Sequence, residues 1–232
     1  MKFLLDDQRS LELVHRPHAR ARRITLRFER RTRTLVLTRP SAMNEQQALH
    51  FARKQEGWIK ARLNEQPALK SLEEGAILLL MGKPHKLVFE QQALRSFHKD
   101  ERVHIVGNRA KFSLHCLHYL RRLAAEDMKA RVQDKSALIQ KKVSKITIRD
   151  QRTRWGSCSS TGNLSFSWRI IMAPDFVRDY LAAHEVAHLV QMNHSDKFWA
   201  LSDSLTQGQL EGRKKAEAWL RQNAKELQAV QV

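Results

Sequence analysis

Apolar and polar residues alternate along "RRITLRFE" at 22–29: Ile24, Leu26 and Phe28 fall on one side, Arg23, Thr25 and Arg27 on the other. That two-residue period predicts a β-strand. "TLVLT" at 34–38 repeats it through Leu35 and Leu37, and a polar turn around Arg30 to Arg33 makes the pair a hairpin. Pro40 and Ser41 close the second strand. The period then changes. In "NEQQALHFARKQEGWIKARL" at 44–63, Ala48, Phe51, Trp58, Ile59 and Leu63 recur near helical spacing, and Asn44 is placed to cap the helix. "AILLLMGKPHKLVFE" at 76–90 reads as two strands around Gly82-Lys83-Pro84, and "RVHIVG" at 102–107 as another.

From Leu114 to about Lys142 the chain reads as helix, free of Gly and Pro. "SKITIR" at 144–149 alternates as a strand. "RWGSCSSTGNLSFSWRI" at 154–170 predicts a hairpin turning at Ser160 to Asn163. Its second strand sets Leu164, Phe166, Trp168 and Ile170 against Ser165, Ser167 and Arg169. Pro174 suits a first helical position, and a last amphipathic helix is expected around 211–229. No repeat or low-complexity linker interrupts the chain. The expected fold class is α+β, with a strand-rich region carrying one long helix at 1–110 and a second region at 111–232.

Composition narrows the class. At 232 residues, 42% hydrophobic and 28% charged, the chain can bury a sizeable core and fits a soluble globular protein. The start offers only Phe3, Leu4 and Leu5 between Lys2 and Asp6, too little for a signal-peptide core. The longest apolar run, "AILLLM" at 76–81, is far short of a membrane span. A cytoplasmic protein without a membrane partner is expected. Cys116 and Cys158 form no CxxC pair and read as two reduced thiols.

The net charge is +18, and residues 16–39 hold nine arginines against one acid, Glu29. Such a surplus fits either an acidic partner such as nucleic acid or a solvated basic face. Arg23 and Arg27, two residues of one strand face, are the candidate phosphate contacts. The only interleaved aromatic, Phe28, belongs to the opposite face, so any nucleic-acid binding should be sequence-independent and salt-dependent.

The chemistry concentrates in "LAAHEVAHLVQMNHSDKFW" at 181–199. Residues i and i+4 of a helix share a face, so His184 and His188 can direct two imidazoles at one ion. Glu185, about 100° round the helix, stands close to that ion without having to bind it. This is the HExxH arrangement: two neutral ligands and a carboxylate able to take a proton from a water activated there. A catalytic zinc site uses three protein ligands and keeps one position open. His194 is the nearest third ligand, but on a continuing helix it would lie about 240° from His188. The helix must therefore end first. Asn193 is a plausible stop and Ser195 or Asp196 a cap for the next helix.

The stretch "RWGSCSSTGNLSFSWRIIMAPDFVRDYLAAHEVAHLVQMNHSDKFW" resembles the YgjP-like metallopeptidase family, relatives of the SprT-like and WLM zincins. The family's RWGSC segment, Trp-Arg strand end, Ala-Pro helix start, HExxH, Asn-His-Ser and Phe-Trp all stand here in order across 154–199. The hairpin at 22–29 and "EGWIKARL" resemble its N-terminal part. The resemblance implies a zincin-like C-terminal half, His184, His188 and His194 as metal ligands, Glu185 as the catalytic residue, and peptide-bond hydrolysis. The histidine spacing equals that of metzincins, but Gln191 stands where they have glycine.

The expected function is a zinc-dependent metallopeptidase with one Zn(2+) per chain, a protein or peptide substrate, and Glu185 as general base. Arg154 and Trp155 are candidates to line the substrate cleft, and Gly156 to let a substrate backbone approach; the structural alternative makes Trp155 core and pairs Arg154 with an acid. Tyr180, one turn before His184, is a candidate oxyanion donor or a packing residue. Cys158 reads as a small buried hydrophobe, with a fourth, inhibitory metal ligand as the alternative. "LHCLHYL" at 114–120 reads as ordinary helix surface and core. The rival function is a nucleic-acid-associated binding protein with a structural or vestigial metal site, or a protease recruited to nucleic acid.

Overall fold

The computed structural model describes every residue except 6–8, 30, 31, 66, 152 and 232. The chain divides between residues 68 and 69, not at the expected 110. Residues 1–68 form a four-stranded sheet from β1 (Lys2–Leu4), β2 (Ser10–His18), β3 (Thr25–Glu29) and β4 (Thr34–Pro40), in the order β1-β2-β4-β3. β3 and β4 pair antiparallel, with Leu26 opposite Leu37 and Phe28 opposite Leu35, as the alternation predicts. Arg30 and Arg31 of the expected turn lie outside the described residues. Arg23 sits in a bend ahead of β3, so it shares no strand face with Arg27. β2 lies parallel to β4 and was not legible. Its alternation stops after Leu11 and Leu13, at His15-Arg16-Pro17-His18.

The helix expected over 44–63 is two helices, α1 (Glu45–Lys54) and α2 (Glu56–Asn64). Asn44 caps α1, its Oδ1 accepting the Gln47 N–H at 2.8 Å. The break at Gln55 falls where no apolar side chain between Ala52 and Trp58 anchors the helix, and Gly57 weakens it further. Ala48, Ala52 and Ile59 close over Leu13, Leu35 and Leu37 in this unit's core.

Residues 69–232 begin with β5 (Lys70–Ser71), β6 (Ile77–Leu80), β7 (Lys83–Glu90), β8 (Phe97–Lys99) and β9 (Arg102–Val106). The last four form a sheet in the order β6-β7-β9-β8. α3 (Phe112–Leu138) follows, then β10 (Lys145–Arg149), β11 (Gly156–Cys158) and β12 (Asn163–Ser167), a 3₁₀ turn at Trp168–Met172, and the helices α4 (Asp175–Ala187), α5 (Asp196–Leu205) and α6 (Gln209–Gln228). β13 (Val230–Gln231) pairs with β5. No described helix is long and apolar enough to cross a membrane. Both cysteines are free.

One apolar cluster explains why the boundary is not at 110. It joins Leu80, Leu87, Val103 and Ile105 of the first sheet to Cys116 and Leu120 of α3 and to Trp168 and Ile171. A division at 110 would cut through that cluster. The β6–β7 turn is Met81-Gly82, one residue earlier than expected, with both residues at positive φ. Its backbone N–H groups donate to the Ile171 and Met172 carbonyls at 2.8 and 3.0 Å. A Cβ on Gly82 would meet Pro174 at 2.8 Å. The turn is thus seated on the entry to α4.

The hairpin at 154–170 forms, but its second strand ends at Ser167 and the Trp-Arg pair begins the 3₁₀ turn. The expected split into apolar and polar faces fails. Ser165, Ser167 and Arg169 are buried along with Leu164 and Phe166. β12 is the middle strand, parallel to β10 on one side and antiparallel to β11 on the other, and is covered on both faces. α4 is bound to α3 by charge. Arg178 pairs with Asp127, and the buried Lys135 Nζ reaches Asp179 Oδ1 at 2.6 Å. Removing one partner of such a pair strands a buried charge, so the network fixes how α4 lies.

Candidate metal centre

α4 is amphipathic at first and becomes buried all round: from Val177 to Ala187 only His184 is not fully enclosed. His188 is its C-cap. The helix therefore stops five residues before Asn193, the stop the sequence offered. It ends by tightening, with the Leu189 and Val190 N–H groups donating to Val186 and Ala187 at 3.0 Å, and no residue from 188 to 195 takes a positive φ. Ser195 occupies the N-cap position of α5, though its side chain makes no capping bond. Between the two helices the chain returns His194 to the other histidines.

The three imidazoles converge: one ligand atom from each of His184, His188 and His194 lies within 4.8 Å of the others. The Nε2 atoms of His184 and His194 are 3.3 Å apart. Two zinc–nitrogen bonds of about 2.0–2.1 Å at a tetrahedral angle span about 3.3–3.4 Å, so this spacing is that of two ligands of one ion. Among the described residues no fourth His, Cys, Asp or Glu joins the cluster. Phe198 of α5 is fully buried and touches all three rings, stacking on His188 at 4.5 Å, while Trp199 stacks on His194 at 5.4 Å.

The outer nitrogens are also held. His188 Nδ1–H donates to the Gln191 carbonyl at 3.0 Å, which leaves Nε2 free to bind a metal. His184 Nδ1 lies 3.4 Å from the Tyr180 hydroxyl, whose proton goes to Glu217 Oε1 at 3.0 Å. The Tyr180 oxygen can then only accept from His184, again leaving Nε2 free. Glu217 is tied to Arg213, which pairs with Asp203 and lies over the Trp199 ring at 4.7 Å. Burial, then the neighbouring His188 and His194, push His184 down to about 3, and burial lowers His188 as well. Both are neutral at physiological pH, as a metal ligand must be.

Glu185 follows His184 but is enclosed, 4% exposed, and burial raises its carboxyl to about 8 against the opposing pull of Arg154. Its Oε2 has no hydrogen-bond partner among the described residues. A buried carboxyl oxygen without a partner is rare in a folded protein and marks a group kept for something other than stability. A Cβ added to Gly156 of β11 would meet Glu185 Cγ and Cδ at 2.7 Å, and Oε1 closer still. The space above Gly156 is therefore taken by the Glu185 side chain, not by a substrate backbone as the sequence led us to expect.

The remaining expectations divide. Arg154 is exposed and acts electrostatically on Glu185. Trp155 is half-buried and packs against both apolar clusters of this unit, in line with the structural alternative. Tyr180 is 6% exposed, and its hydroxyl is engaged by His184 and Glu217 rather than free for a substrate oxygen. Cys158 stays outside the histidine cluster; burial and the charge of Glu185 raise its thiol to about 11, far from a ready thiolate. Arg27 is 69% exposed and pairs with Glu29 at 3.1 Å, which reduces its free charge. Glu217, Arg213 and Phe198 had no expected role. Only the Phe-Trp pair soon after His194 signalled one of them.

A histidine pair one helical turn apart, a third histidine returned by the next loop and an enclosed glutamate beside them define a metallopeptidase-type centre. The YgjP-like, metallopeptidase domain family matches residues 22–223, and the chain belongs to it. Searches of curated proteins and of solved structures found no match.

Proposed function

We propose that the chain is a zinc-dependent peptidase whose second unit is zincin-like, with His184, His188 and His194 holding one ion and Glu185 as the general base. The observation that carries this is the 3.3 Å Nε2–Nε2 spacing beside a buried glutamate with an unpartnered Oε2. Bound zinc would polarise the scissile carbonyl, acidify water and favour the ionised form of Glu185. Glu185 Oε2 then takes the proton of the attacking water and returns it to the leaving amine. Arg154, by lowering the proton affinity of Glu185, helps ready it as an acceptor. Tyr180 and the Gln191 carbonyl hold the ligand rings in one tautomer. A structural zinc site is normally closed by a fourth protein ligand, which speaks against the rival reading of a binding protein with a structural metal.

The test pairs metal content with hydrolysis of a denatured-protein or mixed-peptide library. The parent should carry about one zinc per chain, and His188→Ala should lose most of it. Glu185→Gln should keep the zinc and lose hydrolysis. Equal activity in the parent and Glu185→Gln would remove the general-base role, and full zinc in His188→Ala would remove the ligand set.

A further inference from the structure

The segment "LHCLHYL" begins a stripe that the peptidase reading does not use. On α3, His115, His118, Tyr119 and Arg122 stand three, four and seven residues apart, on one helical face. Opposite them are Arg95 and Ser96, just ahead of β8, and together they line a cavity of about 370 Å³. That volume falls within the range of small-ligand sites. None of the metal-centre residues lines it, and neither does any carboxylate.

The lining is rich in donors. Arg95 and Arg122 carry permanent charges. Among the described residues Arg95 has no ion-pair partner, and Arg122 engages Glu126 only through Nη1, at 2.7 Å. The Arg122 guanidinium lies over the Tyr119 ring at 5.2 Å, which limits its freedom before any ligand arrives. Ser96 Oγ accepts the Val106 N–H at 2.9 Å, so its own hydroxyl proton remains to be donated. His115 Nε2 accepts the Asn108 N–H at 3.2 Å, so Nδ1 carries that ring's proton. Tyr119 is tied to His98 Nδ1 at 2.8 Å and forms a fixed wall. A solvated basic face would be convex and laced with acids. Here Arg95, Arg122, Ser96 and His115 line one hollow.

We infer that this cavity is a binding site for a phosphate group, either of a small phosphate ester or of a nucleic-acid strand. A phosphate presents several acceptor oxygens at once, and an arginine fork matches two of them. The cavity has room for more than the bare anion.

Calorimetric titration of the full chain with inorganic phosphate, with adenosine monophosphate and with a short single-stranded oligonucleotide tests the site. Saturable binding is expected, weakened about 10-fold or more by Arg122→Gln and separately by Arg95→Gln. Both arginines are exposed, so the variants should fold, which their thermal melts check. The monophosphate binding as tightly as the oligonucleotide would identify a small ester. A much tighter, steeply salt-dependent oligonucleotide would identify a strand. Absence of saturable binding for all three probes, or unchanged binding in both variants, overturns the site. So does binding that survives both and is lost in Arg27→Glu.

Discussion

Replacing Gly156 by alanine tests the proposed catalytic geometry without replacing a histidine of the cluster or Glu185 itself. The backbone at 156 is in an ordinary β-strand, so alanine itself brings no strain there and trims the freedom of the unfolded chain. The consequence falls on Glu185. The new methyl carbon would lie 2.7 Å from its Cγ and Cδ, where ordinary contact begins at 3.4 Å, and nearer still to Oε1. Because the stem as well as the tip is struck, a turn of the carboxyl alone does not relieve the clash. The side chain must move by about 1 Å inside a site that is 4% exposed, at a cost of roughly 1–3 kcal/mol. A displacement of that size at a catalytic group lowers turnover by about 100-fold. The histidines are not struck, so zinc content should match the parent. The assay is library hydrolysis beside metal analysis, with Gly57→Ala as control, since a Cβ there meets nothing within 4 Å. Hydrolysis by Gly156→Ala within about twofold of the parent, at equal zinc, would refute both the close packing of Gly156 on Glu185 and its catalytic meaning.

Two more outcomes follow from the surroundings of the histidines. Glu217→Leu removes the acceptor that orients the Tyr180 hydroxyl, and zinc affinity should fall by about 10- to 100-fold in a competition titration with a chromogenic chelator; an unchanged affinity would show that Tyr180 holds His184 without it. In the metal-free protein the Glu185 carboxyl is raised, so the folded state binds its proton more tightly than the unfolded chain does. Its contribution is fully present below about 4.5 and is lost as pH rises through about 8, so metal-free Glu185→Gln should be the more stable protein at pH 9, on the order of a few kcal/mol by urea unfolding, and should match the parent at pH 4.

The histidine cluster was legible because a helix of fixed pitch turns sequence spacing into geometry. His184 and His188 needed only their separation of four, and His194 needed only a break before it. Where the break falls was not legible. Asn193 carries a residue signature for ending a helix, whereas the chain ends α4 by short backbone bonds at Leu189 and Val190 that any residue can make. Glu217 and Arg213 were invisible for another reason. They belong to α6 and reach Tyr180 and Trp199 only through packing between helices. Gly156 stood out as a glycine in a strand, but what occupied its missing side chain could not be read locally. β2 escaped because pairing with β4 requires no alternation at His15 to His18. The boundary at 110 was misplaced because a Gly- and Pro-free helix announces a new element, not a new core.

The seating of Met81 and Gly82 on the entry to α4 bears on how this unit can be shuffled between proteins. A segment starting at the long helix would keep His184, His188 and His194 and still lose the sheet that braces the start of α4. The Ile171 and Met172 carbonyls would lose their donors, and Pro174 would lose the glycine it packs on. The smallest piece that carries its chemistry with it is therefore the whole of residues 69–232. Gene fusion or exchange would have to inherit the β6–β7 hairpin together with the histidines, although some hundred positions of sequence separate the two.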